Sequence, residues 1–517
     1  MSVLIEDCVV PGGTARSILV EGGVITKLSG SETQPAPSGA VRIDARGGAV
    51  LPGLVDTHCH PFGRGAARRI VDLRGTSSIT SMRLRLEARV KQTPPGAWIF
   101  GAGWDQEGFS EGRFPNRGDI DSVAPHNPVV LTRVCGHIAL ANSPALEALK
   151  LGSGVGDEYE RDQAGALTGI IKERALERAL AGIPGETAET RMDDLLAVEQ
   201  EAVRLGLTEL HCIVSPDGYR EELNAILGLK AAGRLALRYR LYLPPESFDY
   251  LAEEGIQAKL ADDRVRINGV KIFADGSMGA RTAALRQPYS DDPANSGLLR
   301  HSDEELEELV SDAAGRGFQV VVHAIGDRAV EQAADALAPL ASGGNPRRHR
   351  IEHASLVPRD LRSRMKSLGL RAAVQPQFIV SDIWARARLG DERVRDLYPL
   401  RSMLEEGIIL SGSSDAPVET MSPLLGMWAS MTRSDYALDE RLSLEQAIAL
   451  YTSNAASNGF DEERLGAVRE GGAADLTVLD SDVRGMHPAL LRKVGVAATL
   501  VEGRIVYSFE GLDSVKP

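Results

Sequence analysis

The pattern of apolar and polar positions divides the chain into three regions. Short apolar runs separated by Gly and Pro turns fill the first 50 residues, and the last 50 residues repeat this pattern, as in Val3–Val10 and Val496–Val501. Runs of this length between turn residues predict small antiparallel strands. Neither end alone has enough strands to bury a face, so we predict one composite β-sandwich from residues 1–52 and 460–517.

Between the two ends, nearly continuous apolar runs alternate with helical periodicity, which is the pattern of a parallel sheet covered by helices. Ser302 followed by Glu305 predicts a capping box at the start of a helix that extends to Gly315. Eight apolar runs match the strands of a TIM-like (β/α)8 barrel, so the predicted fold class is α/β with the barrel at residues 53–459. The gap of about 150 residues after the first run is too long for one crossover helix and predicts an inserted α+β subdomain at about 62–195. The eight predicted strands are Val50–Thr57, Leu207–Val214, Leu235–Leu243, Val265–Phe273, Phe318–Ala324, His349–Ala354, Leu370–Gln375 and Ile408–Ser413.

Composition and charge limit the classes of partner. The chain has 58 Lys and Arg against 72 Asp and Glu, a formal net charge of −14. An acidic excess has the wrong sign for binding nucleic acid or an anionic membrane. Hydrophobic residues make up 43% and charged residues 25%, as in ordinary soluble globular proteins. We therefore expect a small-molecule substrate as partner, with neither nucleic acid nor membrane, and leave a homodimer open.

The first residues and the cysteines indicate a compartment. Glu6 and Asp7 stand where a secretory signal peptide would need a basic region, and no run of about 18 apolar residues follows. The 4 Cys are scattered and include no CxxC pair, so they predict no disulfide framework. We expect a cytoplasmic protein in a reducing environment.

The first predicted strand ends in a metal-ligand pattern. His58 and His60 are separated by one residue at the end of an apolar run. Residues i and i+2 of an extended strand share a face, so both imidazoles can face the barrel mouth and bind one metal ion. The alternative is a pair of unrelated polar residues in a loop.

Three further predicted strands end in groups that bind metals. His323 ends the fifth strand, His353 the sixth, and Asp415 follows the eighth. Each alone is more typical of a structural polar residue. The chemistry of barrel enzymes gathers at the C-terminal ends of the strands, so the four His and one Asp together predict a water-activating metal site with open positions.

Lys271 lies among the apolar residues of the fourth predicted strand, where a buried ammonium group is costly. One interpretation is that its stem is buried and its head reaches Asp275 or another acid. The other is carbamylation by carbon dioxide, which converts the cation into an anion with two oxygens that can bridge two metal ions.

The inserted subdomain and the barrel loops offer candidates for a lid and a substrate pocket. Each aromatic residue among them is equally well explained by core packing. His137 either donates a hydrogen bond to a substrate carbonyl or satisfies a loop, and His211 lies at the end of the second predicted strand. The predicted substrate-binding residues are Trp104, Asp105, His137, His211, Phe378 and Trp384.

Motifs along nearly the whole chain resemble the amidohydrolase superfamily and, within it, the amidohydrolase 3 group, also called YtcJ-like. No departure from the family occurs at the expected ligand positions. The segments that carry the resemblance are Leu51–His60, Gly103-Trp104-Asp105, Gly136-His137, Gly165–Gly169, Lys271 with Ala274–Ser277, His323–Asp327, Ile351-Glu352-His353, Gln375-Pro376, Ser414–Pro417 and Ala474-Asp475-Leu476.

The resemblance implies a metal-dependent hydrolase of carbon–nitrogen bonds other than peptide bonds, with one or two divalent metals, usually zinc. It implies that Asp415 takes a proton from a metal-activated water and returns it to the departing nitrogen. The implied ligands are His58, His60 and Asp415 for the more buried metal, carbamylated Lys271 as a bridge, and His323 and His353 for the second metal.

The predicted substrate-binding residues do not select one substrate. The resembled group includes N-substituted formamide deformylases, which makes N-formyl, N-acyl and cyclic amides candidates. The same site can also cleave esters or phosphoesters or deaminate, because fold and metal do not fix the substrate. A non-catalytic metal-binding regulatory protein is the alternative of another class, and the intact water-activating set that includes Asp415 argues against it.

Overall fold

The computed structural model describes residues 2–135, 137–151, 159–183, 187–255, 262–433 and 435–509. Contacts within the chain define a larger unit, Met1–Gly63 with Ala188–Pro517, and a smaller unit, Arg64–Thr187. The smaller unit lies inside the predicted insertion, and helix Ala188–Arg204 belongs to the larger unit. Among the described residues, no helix is both long and apolar enough to cross a membrane.

Eight parallel strands form a barrel in the larger unit and follow one another in chain order, which confirms the predicted fold class. The first and eighth strands meet through Thr57, whose hydroxyl oxygen lies 2.9 Å from that of Ser411 and 3.0 Å from the carbonyl oxygen of Gly412. All C-terminal strand ends therefore lie on one face of the barrel. Barrel strands 1 to 8 are Leu54–Cys59, Leu207–Ile213, Arg238–Leu243, Val265–Phe273, Gln319–Ala324, Arg350–His353, Arg371–Val374 and Leu410–Gly412.

The predicted first strand, Val50–Thr57, is two strands. Val50–Pro52 pairs with a strand near the C-terminus, and barrel strand 1 begins at Leu54. The chain changes sheets at Gly53, where a Cβ atom would lie 2.2 Å from the hydroxyl oxygen of Thr208. Only glycine allows this close approach, and an apolar run alone does not reveal it.

Helices cover the outer face of the barrel, where the apolar side chains of the strands pack in one continuous core. The predicted capping box is present: Ser302 and Glu305 cap the helix Asp303–Gly315, which ends at the predicted residue. The helices of the larger unit are Ala188–Arg204, Tyr219–Ala231, Phe248–Glu253, Asp303–Gly315, Asp327–Leu337, Arg359–Ser367, Phe378–Ser381, Ala385–Arg393, Leu400–Glu405, Pro423–Thr432, Leu444–Tyr451 and Ser453–Gly459, with 3-10 turns at Pro245–Ser247, Ala338–Ala341, Val394–Asp396, Leu438–Glu440 and Pro488–Lys493.

Strands from both chain ends form two four-stranded sheets that share one apolar core, with Ile5, Val20 and Leu500 among its members. One pairing differs from the antiparallel prediction, because Ser2–Glu6 pairs in parallel with Val41–Asp44. A parallel pair needs a crossover connection, and the intervening hairpin supplies it. Residues 510–517 of the predicted sandwich lie outside the described residues. The sheets are, in spatial order, Val24–Ser29, Ser17–Glu21, Ser2–Glu6, Val41–Asp44 and Arg504–Ser508, Val496–Val501, Leu476–Leu479, Val50–Pro52.

The smaller unit has its own six-stranded mixed sheet and its own apolar cores. In spatial order its strands are Tyr159–Arg161, Leu167–Lys172, Ile138–Ala141, Val129–Arg133, Ile99–Trp104 and Val71–Asp72. Its helices are Ile79–Val90, Arg117–Asp121, Ser143–Ala148 and Glu173–Ala181, with a 3-10 turn at Gln106–Gly108, and Pro61–Arg69 begins in the larger unit.

Candidate metal centre

The two histidines of barrel strand 1 and Asp415 meet at the C-terminal face of the barrel. The Asp415 Oδ1 atom lies 3.2 Å from Nε2 of His60 and 3.4 Å from Nε2 of His58. One ligand atom from each of the three residues fits within 4.8 Å of the others. Nitrogen and oxygen donors at this spacing suit a divalent transition metal.

The two remaining predicted histidine ligands lie beside this group. The ring centroid of His353 is 4.9 Å from that of His58 and 4.4 Å from that of His323. The structure therefore brings together the four histidines and the aspartate that the sequence placed at separate strand ends.

Hydrogen bonds to one ring nitrogen orient three of these imidazoles. The Nδ1 atom of His58 bonds to the carboxylate of Glu352, and Nδ1 of His353 lies 2.7 Å from Oε1 of Gln375. The Nε2 atom of His323 lies 3.0 Å from the carbonyl oxygen of Gly276. In each ring the other nitrogen remains for a metal, which is the usual arrangement at metal sites in proteins.

Two residues of this site have sparsely populated backbone conformations. His353 has a φ angle of +71° and Asp415 one of +55°. Non-glycine residues adopt such angles rarely, and they concentrate at functional sites. Asp56 supports the arrangement, because its carboxylate accepts hydrogen bonds from the backbone N–H and the hydroxyl of Ser414.

Lys271 is buried on barrel strand 4, with Nζ 3.4 Å from Nε2 of His58 and 4.7 Å from the ring centre of Phe273. Burial lowers the pKa of Lys271 to about 8. Asp275, the acid offered as its partner, accepts backbone N–H groups from Ile325 and elsewhere and lies 3.3 Å from a ring nitrogen of His323.

The site favours the ionised form of Asp415 and the neutral form of His353. Burial alone would raise the pKa of Asp415, but hydrogen bonds from His58 and His60 outweigh it and hold that pKa well below its ordinary value. Burial, followed by the proximity of His323, holds the pKa of His353 well below its ordinary value. Neutral imidazole is the form that binds a metal.

No sequence pattern predicts a role for Glu352 or Gln375, whose side chains bond to the predicted ligands His58 and His353. Their positions are the one signal in the sequence, since Glu352 directly precedes His353 and Gln375 directly follows barrel strand 7. Nothing local in the sequence indicates that Glu352 contacts His58, which is nearly three hundred residues away.

Two predicted substrate residues need correction. Trp104 is buried in the core of the smaller unit, and its indole N–H donates to the carbonyl oxygen of Leu131 at 2.7 Å. The packing alternative therefore describes Trp104. His211 is buried inside the barrel rather than at the mouth, with Nε2 3.1 Å from Glu209 and Nδ1 3.4 Å from Arg350. Both of its ring nitrogens are engaged, which leaves none for a substrate.

The other four predicted substrate residues include both exposed and buried positions. Asp105 pairs with Arg133 at 2.7 Å, and the side chain of His137 is 70% exposed. Gly136, which precedes His137 in the family-like motif, lies outside the described residues. Phe378 packs in the apolar core of the larger unit, and Trp384 is half-buried next to Gly279.

A sequence profile described as the Amidohydrolase family matches residues 42–507. The chain belongs to this family. Putative amidohydrolase YtcJ of Bacillus subtilis (strain 168) is 31% identical over 522 residues, which cover 96% of each protein. N-substituted formamide deformylase of Arthrobacter pascens is 27% identical over 534 residues, again 96% of each.

A solved structure extends this similarity to the fold. The crystal structure of an uncharacterized metal-dependent hydrolase from Pyrococcus furiosus has a TM-score of 0.77 and 32% sequence identity, and the match covers 94% of this chain and 100% of that one. Family membership, this similarity and the donor set together make the chain an enzyme of the metal-dependent amidohydrolase class, with a divalent metal as cofactor.

Proposed function

We propose that the chain hydrolyses amide-type carbon–nitrogen bonds other than peptide bonds, with N-formyl, N-acyl and cyclic amides as the substrate classes. The observation that carries the proposal is the contact of one Asp415 oxygen with the ring nitrogens of both His58 and His60. A carboxylate in that position can serve both as a ligand and as the acid–base group of a hydrolysis.

The proposed cofactor is zinc, as one ion or two, because histidine-rich donor sets suit this metal. When bound, such a metal lowers the pKa of water from about 15.7 to about 7 and polarises a carbonyl oxygen. The proposed ligands are His58, His60 and Asp415 for one ion, and His323 and His353 for the other.

Lys271 is proposed to carry a carboxyl group and to bridge two ions. The ammonium group first loses one proton, and the neutral amine nitrogen then bonds to the carbon of carbon dioxide and loses a second proton, so that a cation becomes an anion with two oxygens. The support is its position, buried and with Nζ 3.4 Å from the Nε2 atom of His58. An unmodified ammonium at that distance would repel a metal held by the same histidine.

Asp415 is the proposed general base and acid. Its carboxylate accepts a proton from the attacking water, and the oxygen of that water bonds to the carbonyl carbon. The carbon–nitrogen bond then breaks, and the same carboxyl group returns the proton to the departing nitrogen. An open-chain amide gives one amine and one carboxylic acid, a cyclic amide gives both groups on one product, and Asp415 is regenerated.

Relatives support the bond type and leave the substrate to experiment. The Arthrobacter pascens relative is named an N-substituted formamide deformylase, which makes N-formyl compounds the first class to try. Asp105, His137, Phe378 and Trp384 stay as the proposed substrate contacts.

The test combines metal analysis of the full-length protein with a substrate panel. Zinc in one or two equivalents and release of amine and acid from at least one amide class are expected. Esters, phosphoesters and amino-substituted heterocycles form the counter-panel. Turnover confined to the counter-panel would contradict the bond type, and bound metal with no turnover at all would favour the non-catalytic alternative.

A further inference from the structure

The interior of the barrel between the metal centre and the opposite face is charged rather than apolar. Barrels of this class are normally filled by branched apolar side chains. Here five inward-facing residues on barrel strands 2, 3 and 6 are titratable or charged and at most 1% exposed: Glu209, His211, Arg240, Arg350 and Glu352. Burying so many charges is costly unless each has a partner.

These residues form one continuous chain of polar contacts. Arg240 lies 2.8 Å from Glu209, and the other oxygen of Glu209 lies 3.1 Å from Nε2 of His211. The Nδ1 atom of His211 lies 3.4 Å from Arg350, whose Nε donates to Glu352 at 2.5 Å. The second oxygen of Glu352 bonds to His58.

The donors and acceptors in this chain have fixed directions. The guanidinium of Arg350 can only donate, so Nδ1 of His211 accepts and its Nε2 donates to Glu209. Arg350 donates to one oxygen of Glu352, which leaves the other oxygen to accept from Nδ1 of His58. Nδ1 of His58 therefore donates to Glu352, which leaves Nε2 as the ring nitrogen on the side of Asp415 and of a bound metal.

Arg350 is also held in place by its surroundings. It donates from Nη2 to the carbonyl oxygen of Thr57 at 3.0 Å, one residue before His58. Its guanidinium carbon lies 4.5 Å from the ring centre of Tyr242. The same group thus fixes the backbone of barrel strand 1 and the carboxylate that orients its histidine.

We propose that this buried chain is a positioning device for the metal centre, in which Arg350 and Glu352 fix the tautomer and the ring orientation of His58. The inference rests on the proposed ligand role of His58. Arg350 and Glu352 are fully buried, and both act through that imidazole.

The variant Glu352→Gln tests this device with little change of shape. Its amide oxygen faces the donating Arg350, so its NH2 group faces Nδ1 of His58. That nitrogen must then accept, and the imidazole proton moves to Nε2, the atom needed by the metal. We expect zinc affinity, measured by chelator competition, to fall about 10-fold to 100-fold, and the visible absorption of the cobalt(II)-loaded protein to change.

Glu199→Gln is the matched control. Glu199 is a buried carboxylate outside the barrel interior that accepts from the backbone N–H of Leu237 and the hydroxyl of Tyr239. Its substitution removes a buried charge without contact to a predicted ligand, so zinc affinity and the cobalt spectrum should stay unchanged. Equal loss of zinc in both variants would overturn the positioning role, as would unchanged affinity and spectrum in Glu352→Gln.

A measurement on the wild-type protein covers the case in which Glu352→Gln does not fold. Nitrogen-15 labelling of histidine in the metal-free protein reports which ring nitrogen carries the proton, and the signal of His58 is assigned by its absence in His58→Ala. A proton on Nδ1 is expected, whether or not Nε2 also carries one beside Asp415, and an Nδ1 without a proton would overturn the inference. Zinc binding by His58→Ala separates the two ideas, since full retention there would refute the ligand assignment itself.

Discussion

The backbone N–H of Asp415 donates to the carbonyl oxygen of His58 at 2.8 Å. A second bond, from the N–H of His60 to the carbonyl oxygen of Ala416, also measures 2.8 Å. The loop after barrel strand 8 is thereby tied to the end of barrel strand 1. The position of the Asp415 carboxylate is set by the backbone, and a side-chain substitution there should leave the frame intact.

Asp415→Asn should therefore keep its metal and lose turnover. The amide oxygen can still coordinate, but the amide cannot take and return a proton, and loss of such a group costs about 100-fold to 10,000-fold in rate. Metal analysis and kcat on the best amide of the panel provide the check. Asp335→Asn, at a surface pair with Arg364, is the control and should match the wild type. A rate for Asp415→Asn within about threefold of the wild type would place the base elsewhere.

The barrel could be predicted because its strands are buried on the outer face and read as apolar runs. Val265–Phe273 is the clearest case, since the predicted and observed bounds coincide. The metal centre followed from the same pattern, because His323 and His353 end two of these runs. Strand ends share one face of a barrel whatever their separation along the chain.

The role of Trp104 and the ion pairs inside the barrel could not be predicted, because they depend on partners that are distant in sequence. Trp104 reads equally well as a pocket or a core residue until Leu131 is seen to accept its N–H group. Arg240 and Glu209 compensate each other inside the barrel, and neither charge alone predicts burial. The local pattern of apolar residues shows which face of a strand or helix is apolar. It does not show which charged residues pair across the fold.

Lys271→Ala should lose metal. Without the proposed carboxylated side chain the two ions lack their bridge, and a small carboxylate such as acetate should restore part of the metal content. Zinc content by elemental analysis, with and without acetate, is the measurement, and Lys91→Ala at an exposed pair is the control. Full metal content and normal activity in Lys271→Ala would exclude the bridge and leave a structural lysine.

Asp475→Ala should destabilise the larger unit. Asp475 precedes the terminal strand Leu476–Leu479 and forms two bonds with the buried Arg238 of barrel strand 3, at 2.7 and 3.1 Å. Removing Asp475 leaves the buried Arg238 paired with the partly exposed Glu502 at 3.2 Å, and loss of its buried partner should cost about 3 kcal/mol in the free energy of unfolding.

Urea unfolding measures this cost, with the exposed pair of Asp482 and Arg484 as the reference. Asp482→Ala should change the free energy of unfolding by about 0 to 1 kcal/mol. Equal and small effects of both substitutions would show that the terminal sheet contributes little to the barrel.

His349 predicts a pH dependence of stability away from the metal centre. Burial, followed by the charge of Arg347, lowers its pKa to about 4, and its Nδ1 accepts the N–H of Val320 at 2.9 Å. Between about pH 6.5 and 4 the unfolded chain binds a proton that the folded chain does not, so stability falls as the pH falls through this window. The full effect is about 3 kcal/mol.

His349→Gln keeps an acceptor for Val320 and cannot titrate. As the pH is lowered from 7 to about 4, the melting temperature of the wild type should fall more than that of this variant. Parallel curves for the two proteins would show that His349 does not carry this dependence.

The central claim is that a divalent metal at the cluster of His58, His60 and Asp415 drives amide hydrolysis, and return of metal to the stripped wild-type protein tests it most directly. Stripped protein should not cleave the best amide of the panel, and zinc should restore release of amine and acid in equal amounts. The same treatment of Asp415→Asn should restore the metal and not the rate. Amide hydrolysis that continues at full rate after the metal is removed would contradict the account.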